Sequence, residues 1–530
     1  MEVRMESQRG TVVSGIDPVL AEIQQRLRAR PKEWLKALQQ NPSGLANLEQ
    51  EVHRTFAQMA DRVVAGLLAQ TTADSAFADA AKKKVAPSDP QRKLRSGERR
   101  PLRVRLFGGL LIYVVTLYCS PALRTGRRRG REGGGLYPEL GALGIHEGKS
   151  PALVRDIGRL TALLPSYETV REELAERGLK LTIKEVHRIG RYAGQTALAH
   201  RRRELELYRE GKLPAADGQG KRFGAMIDGG RTKIRTTKRK QKGYGKTKTQ
   251  KRRFRTDWRE PKQIIVFEMD EHGRMKKGTK PILDGTLQGP DEILEVLAMR
   301  LHQVGAAQAT VVAFRADGAP WIWERLEWVS QRLGLKKSQV SYGLDWCHAV
   351  HHVSLALEPL VSAEDRQRIF KKLRKWLKQG AWRKVIRDLI DRMVQAGLDV
   401  DAPVWTEINY LERHGEAGRL DYVKFRRRKL PVGSGAIESA IRRVINLRMK
   451  GNSIFWKEDN AEGMLVLRGL VLSRRWNDEF AKISASMARD RHLDWKWQSP
   501  DMSAQLKAGI AITPPKPQTQ SPAACYAAAA

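Results

Sequence analysis

The sequence predicts an α/β protein: a helical region comes first, then a central sheet, then a long helical block set into the sheet-forming part. Three observations carry this. Short apolar, β-rich runs at residues 223–227, 263–269, 310–314 and 340–344 are separated by Gly and polar turns, the pattern of buried strands. Residues 351–415 read instead as helical, with Trp376, Trp382 and Trp405 spread along them. The 530 residues carry 97 Lys and Arg against 59 Asp and Glu, a net charge of +38, far beyond what solubility requires. A polyanion partner, nucleic acid first, is the expectation.

At roughly 100 to 200 residues per domain the length allows about three units. Apolar residues recur at helical spacing from Gly44 to about Gln70 (Leu48, Val52, Phe56, Met59, Val63, Leu67), an amphipathic helix with no chemistry attached. The Lys-rich, Pro-bearing stretch Lys82 to Arg100 reads as a linker. Val104 to Tyr118 reads as two strands around Gly108-Gly109, and Arg127-Arg128-Arg129-Gly130-Arg131 after them is a basic loop able to lie along phosphates. Tyr167 to Arg177 is a helix stopped by Gly178, and Thr182 caps a second helix bearing Lys184, His187, Arg188 and Arg191. Residues 166–195 fit a helix-turn-helix that reads DNA, and equally a plain helical hairpin. Ser434 caps a later helix with the stripe Ile437, Ile441, Val444 and Ile445, and Gly451 follows its end. Beyond Pro500 the chain turns polar, Pro-rich and finally poly-Ala, the composition of a disordered tail.

These readings divide the chain into a helical region and linker (1–100), strands, basic loop and helix-turn-helix-like region (101–210), first part of the sheet-forming core (220–350), helical block (351–430), last part of the core (431–480) and tail (481–530). Cys119, Cys347 and Cys525 are too scattered for a Cys-x-x-Cys metal site and too few for a disulfide framework, which fits a reducing compartment. The N-terminus lacks the apolar stretch of a secretory signal, and the apolar run Leu106 to Cys119 is too short to span a bilayer. The expectation is a soluble cytoplasmic protein with no membrane partner.

Two aspartates sit where an apolar run meets glycine: Met226-Ile227-Asp228-Gly229-Gly230 and Phe314-Arg315-Ala316-Asp317-Gly318. That position is the carboxyl edge of a sheet, where α/β proteins place ligands, and a following Gly allows close approach. Asp-Gly is also the commonest turn pair. Glu438, in the first turn of the Ser434 helix, is placed to reach the sheet from the side. Glu458 and Glu462 also follow the helical block, with Glu462 among Trp456, Met464, Leu465 and Leu467 expected to be structural. Two Asp and a Glu make an all-oxygen set suited to Mg²⁺. A pair of such ions about 4 Å apart supports in-line phosphoryl transfer on DNA or RNA, with Mn²⁺ as a substitute. The stretch from Arg231 to Arg259, with Lys238, Arg239, Lys240, Arg252 and Arg253, has Asp257 as its single acid. It suits a polyphosphate substrate, or is a solvated basic hairpin.

Asp228-Gly-Gly, Ala316-Asp317-Gly318-Ala-Pro-Trp, Asp345-Trp-Cys-His348-Ala, and Gly433-Ser-Gly-Ala-Ile-Glu438-Ser followed by Arg442, Arg443 and Trp456-Lys-Glu-Asp-Asn-Ala-Glu-Gly-Met-Leu resemble a bacterial insertion-sequence DDE transposase of the Kra-type family, related to the Mutator-like transposases. The resemblance covers about residues 40 to 480. It implies a ribonuclease H-like mixed-sheet core with an all-helical insertion between the second Asp and the Glu. It also implies a metal site of Asp228, Asp317 and Glu438, with Asp345 and His348 supporting it from an Asp-x-x-His motif. The implied activity is Mg²⁺-dependent strand cleavage and strand transfer at the terminal repeats of the element. The implied partners are double-stranded DNA, at element ends and target, and a second copy of the chain in a dimer or higher assembly on DNA, at the bacterial nucleoid. One departure stands out: relatives carry Cys pairs of a zinc ribbon after the N-terminal strands, where this chain has Cys119 alone. Different readings are a DNA-binding protein of the same fold without catalysis, and a general metal-dependent nuclease.

Other residues attract attention by spacing. His348 and His352 stand i, i+4 near Cys347 and His351, a possible zinc pair that reads better as support for the acids plus a helix face. Trp321 and Trp323 after Asp317 suit base stacking or core packing. Arg426, Arg427 and Arg428 precede the Glu438 motif and, like Arg442 and Arg443, suit DNA backbone contacts.

Overall fold

The computed structural model describes residues 11–12, 16–85, 94–121, 136–237, 254–399 and 402–487. Arg127 to Arg131, Lys238, Arg239, Lys240, Arg252, Arg253, Cys525 and the tail beyond residue 487 therefore lie outside the described residues. By internal contacts the described residues divide into two compact units, one of those up to residue 196 together with 476–487, the other of those from 197 to 475. No helix among the described residues is long and apolar enough to cross a membrane.

The first unit runs β1 (Thr11–Val12), α1 (Ile16–Gln40), α2 (Leu45–Ala73), α3 (Ser75–Val85), β2 (Leu94–Arg105), β3 (Leu111–Pro121), α4 (Pro138–Ala142), α5 (Pro151–Leu163), α6 (Tyr167–Glu176) and the start of α7 (Ile183–Arg209). Of the expected linker at Lys82 to Arg100, residues 82–85 end α3 and residues 94–100 begin β2, residues 86–93 lie outside the described residues, and the expected boundary at residue 100 falls inside the strand. β2 pairs antiparallel with apolar β3, from Arg99 opposite Leu117 to Arg105 opposite Leu111. Backbone pairing to a buried neighbour overrides the weak strand preference of a basic stretch. Nor is α2 merely amphipathic. Asp61 on it is 4% exposed and accepts the Gly108 and Leu110 N–H groups, each at 2.9 Å, so one carboxylate docks the β2–β3 turn onto the helix.

The α6–α7 pair forms as its local signals require. Ser166 accepts the Thr169 N–H. Gly178 takes φ +83°, and Leu179 N–H reaches back to Leu174 O at 2.8 Å, closing α6. Thr182 and Glu185 exchange bonds as a capping box at the start of α7. Lys184, Arg188 and Arg191 are all exposed at spacing that puts them on one face, with Arg188 paired to Glu147 at 2.8 Å.

The second unit is mixed α/β. It contains the end of α7 and then β4 (Arg222–Gly229), β5 (Thr232–Thr237), β6 (Phe254–Arg259), β7 (Lys262–Glu268), β8 (Ile282–Thr286), α8 (Pro290–Gln303), β9 (Val311–Ala316), α9 (Pro320–Arg332) and β10 (Val340–Leu344). Helices α10 (Trp346–Leu357), α11 (Ala363–Lys378), α12 (Trp382–Gln395), α13 (Pro403–Glu416), α14 (Tyr422–Arg427), α15 (Gly435–Ile441), α16 (Leu447–Met449) and α17 (Glu458–Leu472) follow, with a π-helical stretch Arg442–Asn446 after α15. The chain then returns to the first unit as α18 (Trp476–Met487), whose Trp476 indole donates to Arg155 O on α5 at 2.9 Å.

The five-stranded sheet has the order β10-β9-β4-β7-β8. β4, β9 and β10 are parallel, and β7 is antiparallel to both β4 and β8. The four expected strands are β4, β7, β9 and β10. The fifth, β8, escapes sequence reading because Ile-Leu-Asp-Gly-Thr looks like a turn, yet all five of its residues are buried.

An ionic network makes that burial possible. Arg201 on α7, 1% exposed, donates to Asp284 at 3.2 Å, to Gly285 O at 2.7 Å, and to Glu292 and Glu462 at 2.9 Å each. Arg300 forks onto Asp284 at 2.9 and 2.7 Å and reaches Glu204 at 2.7 Å. Glu462 on α17 also accepts from Thr286 Oγ1 and Leu287 N. Removing one partner of such a group strands buried charge, at a cost of about 3–5 kcal/mol. Arg201→Ala is therefore expected to lower unfolding stability by about that much in a denaturant titration. Glu458→Gln, which alters only an exposed pair with Arg259, is expected to shift it by under about 0.5 kcal/mol.

Candidate active site

Strand register brings the acids together. Ile227 on β4, Ala316 on β9 and Leu344 on β10 lie in one row across the three parallel strands. Asp228, Asp317 and Asp345 each come one residue later, so three aspartates line the same carboxyl edge on strands roughly 4.8 Å apart. Asp228 lies within β4, still paired with Gln263 of β7, and its carboxylate accepts the Gly229 N–H at 2.6 Å. Asp317 accepts the Ala319 N–H at 3.1 Å, and its carbonyl takes the Trp323 indole N–H at 2.7 Å.

The glycines after these acids serve packing. None of Gly229, Gly230 and Gly318 has positive φ. A Cβ on Gly229 would lie 2.1 Å from Glu260 Oε1, and one on Gly318 would lie 2.0 Å from the Tyr410 ring. The expected open approach for a ligand at these positions is thus filled by protein. Glu260 and Tyr410 join the site as residues the sequence reading missed. Glu260 sits in a basic run with no periodic signal. Tyr410 did leave one, since Glu407, Tyr410 and His414 share a face of α13 by spacing.

Asp345 organises the remainder. It is fully buried and accepts three bonds: His348 N–H at 2.9 Å, His348 Nδ1 at 3.1 Å and Ser434 N–H at 2.5 Å. The last ties the Gly433-Ser434-Gly435 turn, and so the start of α15, to the sheet edge. The expected Ser434 cap takes a different form. Its hydroxyl makes no bond to the helix backbone and donates to Glu438 at 3.2 Å. Glu438 is exposed, with Ile437 and Ile441 beneath it buried. Glu458 instead pairs with Arg259, and Glu462 is consumed in the Arg201 network at β8.

The charge state of the site follows from burial and crowding. Burial pushes Asp228 up to about 6, with help from the nearby Asp317 and Glu438 carboxylates and against the Gly229 bond and His348. Burial likewise raises Asp317, with Glu260 and Asp345 adding to it. Burial opposes ionisation of Asp345, but the bonds from His348 and Ser434 outweigh it and hold this carboxyl below its usual range. The same bond raises His348. Burial and the Asp345 and Glu438 charges raise the Cys347 thiol, which disfavours a reactive thiolate.

The oxygens of Asp228, Asp317 and Glu438 do not all lie within 4.8 Å of one another. The two aspartates still fit a hard divalent cation: an all-oxygen pair whose partial burial and mutual repulsion call for a counter-charge. Glu438 is exposed on the first turn of α15, its carboxylate bonded to the Ser434 hydroxyl.

Other expected residues distribute as follows. His352 stacks on Tyr410, ring centroids 3.5 Å apart, and bonds Glu407, so it engages the helical insertion while His348 serves Asp345. His351 is exposed. Trp323 is buried at 8% exposure and packs edge-on to His414, and Trp321 is half-buried with Lys262 above its ring. Arg426 and Arg428 are exposed, yet their guanidinium groups donate to the Lys378 and Ser338 carbonyls. Arg231, Arg427 and Arg442 are exposed, and half-buried Arg443 donates to Ser439 O at 3.3 Å. Arg442 and Arg443 lie in the π-helical stretch, an irregularity frequent at functional sites.

Comparison with models of known protein families finds no match, nor does comparison with curated proteins.

The contact between Gly318 and Tyr410 is directly testable. Gly318→Ala is expected to cost about 1–3 kcal/mol of unfolding stability through overpacking. Adding Tyr410→Ala should remove most of that penalty, so a double-mutant cycle without coupling would refute the packing of α13 against the Asp317 turn.

Proposed function

We propose that the protein is a DDE-type DNA transposase that binds the terminal repeats of its own element and cuts and joins DNA strands. The observation that carries this reading is the row of Asp228 and Asp317 at the carboxyl edge of adjacent parallel strands, with Glu438 tethered beside them through Ser434 and Asp345. The mixed sheet, and the helices α10 to α14 between Asp317 and Glu438, support a ribonuclease H-like core with an all-helical insertion. Asp228, Asp317 and Glu438 would hold Mg²⁺, which when bound supplies charge stabilisation for the attacking and leaving oxygens of a phosphodiester.

The chain's own residues supply the rest. Asp345 and the sheet register position the acids, and His348, held by Asp345, places a proton-bearing ring beside Asp228 and Asp317. Exposed Arg442 adds a cationic donor fork at the same helix for phosphate oxygens. The exposed Lys184, Arg188 and Arg191 stripe of α7 is the proposed element-end contact.

Asp228→Ala and Asp317→Ala, and Glu438→Gln with them, are expected to reduce Mg²⁺-dependent cleavage of an end-bearing duplex to background while duplex affinity stays nearly unchanged, because ligands for one metal site add little to the binding of a +38 chain. Wild-type cleavage in any of the three removes that residue from the site. Duplex binding without cleavage by the unmodified chain would make it a silent DNA-binding protein. Cleavage with neither end preference nor joining would make it a nuclease.

The α7 stripe has its own test. In the Lys184→Ala, Arg188→Ala, Arg191→Ala triple variant the slope of log affinity against log salt is expected to flatten by up to about 2.7, at about 0.9 per phosphate contact. An unchanged slope sends duplex recognition elsewhere.

A further inference from the structure

The β5–β6 ribbon leaves the sheet just after Asp228, and its two faces differ. Thr232 and Ile234 are buried, with Thr232 Oγ1 bonded to Met449 O at 2.8 Å. The segment before α17 clamps the ribbon through two backbone bonds, Arg235 N–H to Trp456 O at 2.7 Å and Trp456 N–H to Lys233 O at 3.0 Å. The opposite face carries Lys233 across from Trp258, Arg235 across from Thr256, and Phe254. Trp258 is 53% exposed, Phe254 37% and the neighbouring Phe455 39%.

These side chains pair cations with rings. The Phe254 and Phe455 rings lie 4.8 Å apart, the Arg235 guanidinium sits 3.9 Å over Phe254, and the Lys233 ammonium lies 5.0 Å from the Trp258 ring. Cross-strand pairs of this kind stabilise a ribbon, but stability alone does not call for three large aromatics on the solvent side. A protein of +38 net charge offers such a surface to a polyanion. Duplex DNA keeps its base faces covered and needs cations alone. Rings interleaved with Lys and Arg match unpaired bases, whose faces stack on aromatics while their phosphates meet the cations.

We propose that the exposed face of the β5–β6 ribbon, built on Trp258, Phe254, Phe455, Lys233 and Arg235, binds single-stranded DNA by stacking unpaired bases. Lys233 is five residues from Asp228, at most about 17 Å along extended chain, so a nucleotide held here belongs to a strand that passes the acidic row. The site thus adds a ligand, unpaired nucleotides, to the function proposed above, and it stands on the ribbon's geometry whether or not the acids cleave.

The test is a binding titration of the full chain with an oligothymidylate of about 16 nucleotides and with a mixed-sequence duplex of the same length, at one fixed salt concentration. Trp258→Ala is expected to weaken oligothymidylate binding roughly 5- to 100-fold and to leave duplex binding within about twofold. Trp258→Phe should keep most of the affinity, and Phe254→Ala with Phe455→Ala should fall in the same direction as Trp258→Ala. Unchanged oligothymidylate affinity overturns the inference, as does an equal loss for single strand and duplex. A change in self-association by sedimentation, without a change in single-strand binding, overturns it in favour of a contact between copies. Single-strand binding through Trp258 in a chain that never cleaves leaves this inference standing and removes the transposase. Cleavage with no role for Trp258 does the reverse.

Discussion

The candidate site depends on one buried carboxylate whose bonds tie three segments of the chain together. Asp345 caps α10 through His348 N–H, holds the His348 ring, and accepts the Ser434 N–H from a turn far away in sequence. A buried anion with three donors is satisfied, and losing any donor would leave charge in a low-dielectric setting. The penalty for disorder therefore falls on the sheet edge, on His348 and on the start of α15 together. That coupling holds the first turn of α15 at the sheet edge, where exposed Glu438 accepts the Ser434 hydroxyl.

Parallel pairing supplies the other constraint. Because β4, β9 and β10 run in register, equivalent positions on them fall in a line, and a slip of one residue would turn the acids to the other face. The helical insertion reinforces the line from outside the sheet. Tyr410 on α13 fills the space that a side chain at Gly318 would take, and Trp323 holds the Asp317 carbonyl. These contacts keep a crowded set of carboxylates in place, where burial, with neighbouring carboxylates adding to it, raises Asp228 and Asp317.

At the far edge of the same sheet, charge is used for architecture. Arg201 and Arg300 gather Asp284, Glu292, Glu204 and Glu462 from α7, β8, α8 and α17. The acids at the carboxyl edge have the His348 ring beside them, whereas those at the other edge are neutralised by guanidinium groups. Glu462 shows the difference. Its apolar sequence setting among Trp456, Met464, Leu465 and Leu467 already points to a structural role, and its bonds from Arg201, Thr286 and Leu287 supply it.

Much of this was legible in the sequence. Four of the five strands, the hairpin around Gly108, the α6–α7 pair with its Gly178 stop and Thr182 cap, and the two Asp-Gly positions all follow from periodicity and local chemistry, because backbone geometry imposes spacing of 2 and 3.6 residues and special residues at turns. Long-range pairing decided the rest. β8 contains an Asp-Gly pair that local rules assign to a turn, and it becomes a buried strand because arginines from two helices neutralise its Asp284. The basic stretch Leu94–Arg105 becomes strand β2 because β3 supplies its hydrogen bonds. Glu260 and Tyr410 enter the site because the fold closes on glycine. A sequence records which groups can ionise, stack or bend the chain, whereas which of them meet is set by register and packing between residues hundreds of positions apart.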